Sequence, residues 1–205
     1  MMRLSDAASW FGTRAVVVHV VTMTPVSASS VACSEPPSAA CVCDSPPVVD
    51  TALVAFLSKV RSAHHQADLR EQSGDIAGAI ESIEKTVDAS VGLEGLRDRP
   101  EVREVRADMF ARISEIRGRL GDFDAAERDI RSGLDLSPRD SYFEGHLFEI
   151  RGVNEERRAK ALAAAGHEQA AEDARKAALS AFQSAIDIQE RVIRNALQRD
   201  GGDGP

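Results

Sequence analysis

A histidine and an aspartate come closest to a chemical site in this sequence. His64 and Asp68 lie four residues apart, so in a helix both side chains project from one face, and such a pair is able to ligate zinc or transfer protons. His65 points about 100° around the helix from His64, no third ligand is identifiable, and the H-E-x-x-H signature is absent. His146 and His167 are lone and are expected at helix surfaces. We therefore predict no catalytic residue, no metal site and no cofactor.

The cysteines offer a second kind of chemistry. All three, Cys33, Cys41 and Cys43, fall in one short Pro-rich window ahead of the main body. A single Cys-x-Cys supplies too few ligands for a closed tetrahedral metal site, whereas in an oxidising compartment Cys41 and Cys43 are able to pair with each other or with another chain. A metal- or redox-responsive protein that uses these groups, or His64 and Asp68, remains an alternative function.

Composition and motifs argue against other function classes. Nucleophile-elbow, P-loop and dinucleotide-binding motifs are absent, so we predict that the protein is not an enzyme. The formal net charge is -8, whereas a protein that binds nucleic acid usually carries a basic surface. A nucleic-acid partner is therefore not expected. The 205 residues are 43% hydrophobic but only 4% aromatic, which favours closely packed helices over a β-sandwich. Composition thus predicts one all-α domain with tails.

The N-terminal residues predict export. Basic residues precede an apolar run over 15–26, which has the length of a signal-peptide core and is too short to cross a bilayer. Ser30 and Ala32 place small residues at the two positions that an export peptidase requires. We therefore predict a signal peptide over 1–32. The alternative is translation from Met23, which would leave a cytoplasmic protein.

The residues around the predicted cleavage site resemble a bacterial lipobox. They read Ser30-Val31-Ala32-Cys33, and in that motif the cysteine becomes the lipid-modified N-terminus of the mature protein. The resemblance implies lipidation at Cys33 and a location in the cell envelope, in the periplasm and anchored to a membrane. Residues 33–48 then form a disordered Cys- and Pro-rich tether, and residues 199–205 form a disordered tail.

The body of the chain, 49–198, has helical periodicity throughout, because its apolar residues recur at intervals of three and four. We predict six helices, over 49–73, 75–90, 101–120, 122–136, 139–165 and 167–198. Gly74, Gly121 and Gly166 each end a helix in the left-handed conformation, and Asp75 and Asp122 cap the helices that follow. The six helices therefore form three hairpins.

The hairpins share a residue pattern. The second copy carries it best, with Ser114, the turn Gly121-Asp122-Phe123, Ala126, Ile130 and Gly133. The first copy keeps Gly74-Asp75-Ile76, Ala79 and Ile83, and the third keeps Gly166 and Ala171. This pattern resembles the tetratricopeptide repeat (TPR), although the turn glycines are 47 and 45 residues apart against about 34 in that family. The resemblance implies antiparallel hairpins stacked as a short TPR-like right-handed superhelix.

The resemblance also implies a partner-binding groove, because the first helix of each hairpin lines the inner wall of such a superhelix. The residues that it assigns to the groove are Arg61, His64 and Asp68 from the first hairpin, Asp108, Arg112, Glu115 and Arg119 from the second, and Glu156 and Lys160 from the third. Their mixed charge favours a polar or charged peptide, with Arg112 and Arg119 as cationic posts for an acidic segment. The alternative is that this face is merely solvated.

The last helix is the longest. Its apolar line, which includes Ile186 and Ile193, is expected to face inward, and its length also fits a coiled-coil partner and hence a homo-oligomer. Taken together, the sequence predicts a lipid-anchored, non-enzymatic scaffold or adaptor of the bacterial cell envelope that binds another envelope protein or peptide. The alternatives are a cytoplasmic TPR regulatory protein that starts at Met23 and the metal- or redox-responsive protein.

Overall fold

The computed structural model describes residues 50–89 and 95–200, and within them it contains six helices and no strand. The helices are α1 (Thr51–Gln72), α2 (Ile76–Ala89), α3 (Pro100–Leu120), α4 (Phe123–Leu136), α5 (Tyr142–Ala164) and α6 (Glu168–Asp200). The predicted all-α class and the six helices are confirmed. The signal peptide, Cys33, the tether over 33–48 and residues 201–205 lie outside the described residues, so those predictions stay predictions.

Short turns join the helices into three hairpins. The glycines of these turns all have a positive φ, 82° at Gly74, 82° at Gly121 and 80° at Gly166, as a left-handed helix end requires. Asp75 Oδ1 then accepts a hydrogen bond from the backbone of Gly78 at 3.0 Å, and Asp122 Oδ1 accepts one from Ala125 at 3.2 Å. These caps satisfy amide groups at the starts of α2 and α4, as the sequence predicted.

Most helix ends differ from the prediction by one or two residues, and the differences at the start of the fifth helix and the end of the sixth have consequences. The fifth helix begins at Tyr142 rather than at 139, because Ser141 Oγ accepts from the backbone of Glu144 at 3.1 Å and Asp140 has a φ of 53°. A serine N-cap and a left-handed residue both place the helix start after them. At the other end, α6 continues to Asp200, into the segment that was expected to be a disordered tail.

The apolar core consists of two clusters that share α3. The first joins α1, α2 and α3 and contains Phe56, Val60, Ala67, Ala79, Ile83, Val87, Val102, Met109, Ile113 and Ile116. The second joins α3, α4 and α5 and contains Ala107, Ala111, Ile130 and Leu147. Consistent with this position, α3 packs against α2, α4 and α5. The third helix is therefore the element around which the polar surfaces described below are arranged.

Glycines inside the helices allow close packing. A Cβ atom at Gly133 of α4 would lie 2.6 Å from Leu147 of α5, and one at Gly152 of α5 would lie 2.7 Å from the ring of Phe182 on α6. Both distances are shorter than carbon atoms tolerate. Close approach of the later helices therefore depends on the absence of a side chain at these two positions.

Candidate interaction surface

Most of the predicted groove residues of α1 and α3 meet on one polar surface. We call this the α1–α3 polar surface and define it as His64, Asp68, Glu71, Asp108, Arg112, Glu115 and Arg119. Ion pairs between the two helices connect most of these side chains. Six of the seven were assigned to the groove from the sequence, and Glu71 was not.

Arg112 is the centre of this surface. Its Nη2 atom lies 2.9 Å from Asp68 Oδ1 and 2.5 Å from Glu71 Oε1, and its Nη1 atom lies 2.7 Å from Glu115 Oε2. Burial by itself lowers the pKa of the Arg112 guanidinium, but the hydrogen bond to Glu115 and the nearby carboxylates outweigh it, and the net shift is upward. Arg112 is therefore a charged clamp between α1 and α3.

Glu71 is the residue that sequence reasoning missed. It accepts hydrogen bonds from Arg112 and from Arg119 Nη2, and its side chain is only 16% exposed. Arg119 also donates to Glu115 Oε1 at 2.8 Å. The sequence signal for Glu71 was its position three residues after Asp68, which places both carboxylates on the same helical face.

The ion pairs change the expected chemistry of the surface. Arg112 and Arg119 were expected to receive an acidic partner segment, but both guanidinium groups already have carboxylate partners within the chain. The surface contains four carboxylates and two guanidinium groups, an excess of two negative charges when its histidine is neutral. An approaching carboxylate would have to displace an internal one, whereas a basic group meets acidic side chains that remain partly exposed, such as Asp68 at 48% and Asp108 at 41%.

His64 is half-buried on the α1 side of the surface. Burial lowers its pKa from the ordinary value of 6.5 and is the largest cause; Asp108 opposes the shift, Arg112 reinforces it, and Asp68 and His65 make smaller contributions. The imidazole is therefore neutral at pH 7. In the part of the chain that the structure describes, no group of three or more His, Cys, Asp or Glu side chains is placed to hold a metal ion.

His146 extends the polar surface to α5. The sequence predicted a lone residue at a helix surface, and the contacts of His146 correct that prediction. Its Nε2 atom lies 3.9 Å from Asp108 Oδ1, and its Nδ1 atom lies 3.4 Å from Glu149 Oε2. The ring stacks on Tyr142, with centroids 6.0 Å apart and planes 8° from parallel. Asp108 thus interacts with histidines of two different helices.

The remaining predicted groove residues do not join the ion pairs of α1 and α3. Arg61 is exposed on α1. Lys160 Nζ lies 2.5 Å from Glu156 Oε1 one turn away on α5, and both side chains are more than half exposed. No hydrogen bond or ion pair among the described residues connects these three to the α1–α3 polar surface, so their place in a binding groove stays a prediction.

A second ion cluster, which the sequence did not reveal, joins α2, α3 and α4. Arg117 Nη1 lies 2.6 Å from Asp129 Oδ1 and 2.7 Å from Oδ2, while its Nη2 lies 2.6 Å from Glu84 Oε1. The Arg117 side chain is 23% exposed and that of Asp129 is 10% exposed. Because the arginine links the second hairpin to the first, this cluster is structural.

A buried polar network fixes α5 against the second hairpin. Ser114 Oγ donates to the carbonyl of Ala126 at 2.8 Å. Asn154 Nδ2 donates to Ser114 Oγ at 3.0 Å and to the Ser114 carbonyl at 3.2 Å, and its Oδ1 accepts from Arg157 Nη1 at 3.1 Å. Buried polar atoms that are all satisfied make the packing of α3, α4 and α5 specific.

Comparisons with protein-family models, with curated proteins and with solved structures found no match to this chain. Among residues 50–89 and 95–200, no helix has the length and apolar character that crossing a membrane requires.

Proposed function

We propose that the protein is a non-enzymatic interaction scaffold of the bacterial cell envelope, with a partner-binding wall formed by the first helices of its hairpins. The observation that carries the proposal is the α1–α3 polar surface. Residues that the repeat pattern assigned to one wall, from two hairpins far apart in sequence, meet on one surface and are partly accessible. A polar surface presented by adjacent helices is a typical site for a peptide or protein partner.

The arrangement of the hairpins supports a TPR-like stack. The first helix of the second hairpin packs against α5, the first helix of the third, and Arg112 links it to α1. The helix α3 thus packs directly against α5 and reaches α1 through ion pairs between side chains, which places it between the other two first helices, as the inner helix of a central repeat is placed in a stack. We extend this to the right-handed superhelix that the resemblance implies.

The charges favour a particular partner chemistry. The α1–α3 polar surface has more carboxylates than guanidinium groups, and its arginines are already paired. A polar segment with at least one basic residue therefore complements it better than an acidic segment does. Asp68 and Asp108 are the contacts that we propose for that basic group, because their side chains are the more exposed carboxylates of the surface.

The envelope location rests on the export signal and on the lipobox around Cys33. The test is the intact mass of the protein isolated from membranes of its native host. A diacylglycerol addition on Cys33 supports the lipid-anchored scaffold. A soluble, unmodified chain that starts at Met23 supports the cytoplasmic regulatory alternative instead.

The binding surface is tested with Asp68→Asn and Asp108→Asn combined. Arg112 keeps Glu71 and Glu115 as partners, so the fold is expected to remain intact. The matched control is Asp124→Asn with Asp135→Asn, which removes two exposed carboxylates from α4.

The unaltered protein is first used to capture a partner from envelope extract, and that partner is identified. Its affinity for the unaltered protein and for both double variants is then measured by titration. The surface variant should bind at least about tenfold more weakly, which corresponds to about 1.4 kcal/mol, and the control should bind as before. Equal binding by all three proteins, or a loss confined to the α4 control, would move the interface away from the α1–α3 polar surface.

A further inference from the structure

A line of exposed apolar side chains runs along α6. Leu179, Ile186 and Ile193 are 70%, 53% and 59% exposed and lie seven residues apart, and Leu197 is 68% exposed. We call these four residues the α6 stripe. Single exposed leucines are ordinary on protein surfaces, but a seven-residue repeat of apolar residues on one helical face is the pattern of a helix that packs against another helix.

The stripe is a second apolar face of α6. The first face is buried and consists of Ala171, Ala174, Ala178, Ala181, Ala185 and Ile188, and α5 is the principal neighbour of α6. Ile186 and Ile193 were expected on this inward face, and the structure shows that they are not. Because 3.6 residues make one turn, the buried and exposed sets lie on different sides of the same helix.

The C-terminal part of α6 also extends past its hairpin partner. Gln189 Nε2 donates to the carbonyl of Tyr142 at the start of α5, and Arg191 pairs with Asp140 just before it at 2.6 Å. From Arg191 the helix continues to Asp200, a further 14 Å or about nine residues at 1.5 Å each. Leu197 therefore lies on a projecting segment, whereas Ile186 and Ile193 border an open groove that Gly145 and Glu149 of α5 also line.

Charged residues beside the stripe indicate what covers it. Lys176 and Glu190 are both exposed and lie seven residues before and seven residues after Gln183, on the same helical face as that residue. When two copies of α6 run antiparallel around a two-fold axis at Gln183, Lys176 of each copy comes level with Glu190 of the other. In a parallel pair each residue instead comes level with the same residue of the other copy, so that Lys176 faces Lys176 and Glu190 faces Glu190.

The same register matches other residues along α6. Asp173 and Arg194 lie ten residues before and eleven residues after Gln183, so they also come nearly level with each other across the axis. Leu179 of one copy comes level with Asp187 of the other, one residue beyond Ile186. In this register the Leu179–Ile186 contact coincides with the Lys176–Glu190 and Asp173–Arg194 pairs, whereas Ile193 comes level with Asp173 and Leu197 with Gln169, so the paired region covers only the first half of the α6 stripe.

We propose that the protein forms a two-fold symmetric dimer through antiparallel pairing of α6, with Leu179 packed against Ile186 of the second copy. Two Lys176–Glu190 pairs flank this contact and set its direction and register. The interface lies on the third hairpin and leaves the α1–α3 polar surface free. It is therefore independent of the proposed partner site, and a dimer would present two such sites.

The register is tested by exchanging the charges in the full-length chain under reducing conditions, which keep its cysteines from forming cross-links. Lys176→Glu alone turns both intermolecular pairs into carboxylate–carboxylate contacts, and Glu190→Lys alone turns both into ammonium–ammonium contacts. The combined exchange restores opposite charges. Sedimentation equilibrium should show a dimer that each single variant weakens by about tenfold and that the combined variant restores to within about threefold of the original.

Ile186→Asp tests the apolar contact separately. The side chain is half exposed in the single copy, so helicity and melting should stay unchanged while the dimer is lost. A chain that remains monomeric at about 100 µM overturns the proposal. The α6 stripe would then be a binding site for a different protein. A dimer that survives Ile186→Asp, or that the combined charge exchange fails to restore, overturns the antiparallel register.

Discussion

Replacing Gly118 with alanine probes the contact between α3 and α5 more directly than any other single change. A Cβ atom at this position would lie 1.9 Å from Asn154 Oδ1 and 2.5 Å from its Cγ. Asn154 is only 6% exposed and is held by hydrogen bonds to Ser114 and from Arg157. The amide therefore cannot move aside without leaving those bonds.

The expected loss of stability follows from the hydrogen bonds that are lost. Two hydrogen bonds from Asn154 to Ser114 contribute about 1 kcal/mol each, and a buried polar group left without a partner costs about 1–3 kcal/mol more. Alanine in a helix interior offsets about 1 kcal/mol of this relative to glycine. We expect Gly118→Ala to lower the free energy of unfolding by about 2–4 kcal/mol.

The assay is urea unfolding followed by the helical circular dichroism signal, for the original chain, Gly118→Ala, Asn154→Ala and the double variant. Once Asn154 has been shortened, the obstacle is gone, and Gly118→Ala should stabilise that background by up to about 1 kcal/mol. The effect of Gly118→Ala on stability thus reverses its sign, with a coupling of about 3–5 kcal/mol between the two substitutions. A neutral or stabilising effect of Gly118→Ala in the original chain would contradict this prediction, because it would show that Asn154 moves without cost.

Two further changes test the packing of the second hairpin and the environment of His64. Ala126 is fully buried and its carbonyl accepts from Ser114, so Ala126→Leu should overpack this contact and lower the free energy of unfolding by about 1–3 kcal/mol; an unchanged melting temperature would contradict its burial. Burial lowers the pKa of His64 below 6.5, so the unfolded chain binds more protons than the folded chain, and stability falls as the pH drops below 6.5. His64→Gln should reduce this acid-side loss in urea unfolding between about pH 7 and pH 5; identical pH profiles would show that His64 does not contribute.

The sequence determined the helices because their signals are local. The period of apolar residues and the caps act within about one helical turn, so Gly121 and Asp122 alone predict where α3 ends and α4 begins. The same local character explains the correction at α5, where the Ser141 cap and not the broader apolar pattern sets the start. Six of the seven residues of the α1–α3 polar surface were also found, because the repeat pattern relates equivalent positions of different hairpins.

Which side chains meet between hairpins was decided by the tertiary structure. Glu71 pairs with Arg112 across 41 positions of sequence, and Arg117 pairs with Glu84 across 33, and no local pattern specifies which carboxylate an arginine reaches. For the same reason the sequence could not tell that Arg112 and Arg119 are already paired, or which apolar face of α6 packs against α5. Helix formation depends on neighbours within a turn, whereas ion pairing and burial depend on how close the packed helices bring residues that are distant in sequence.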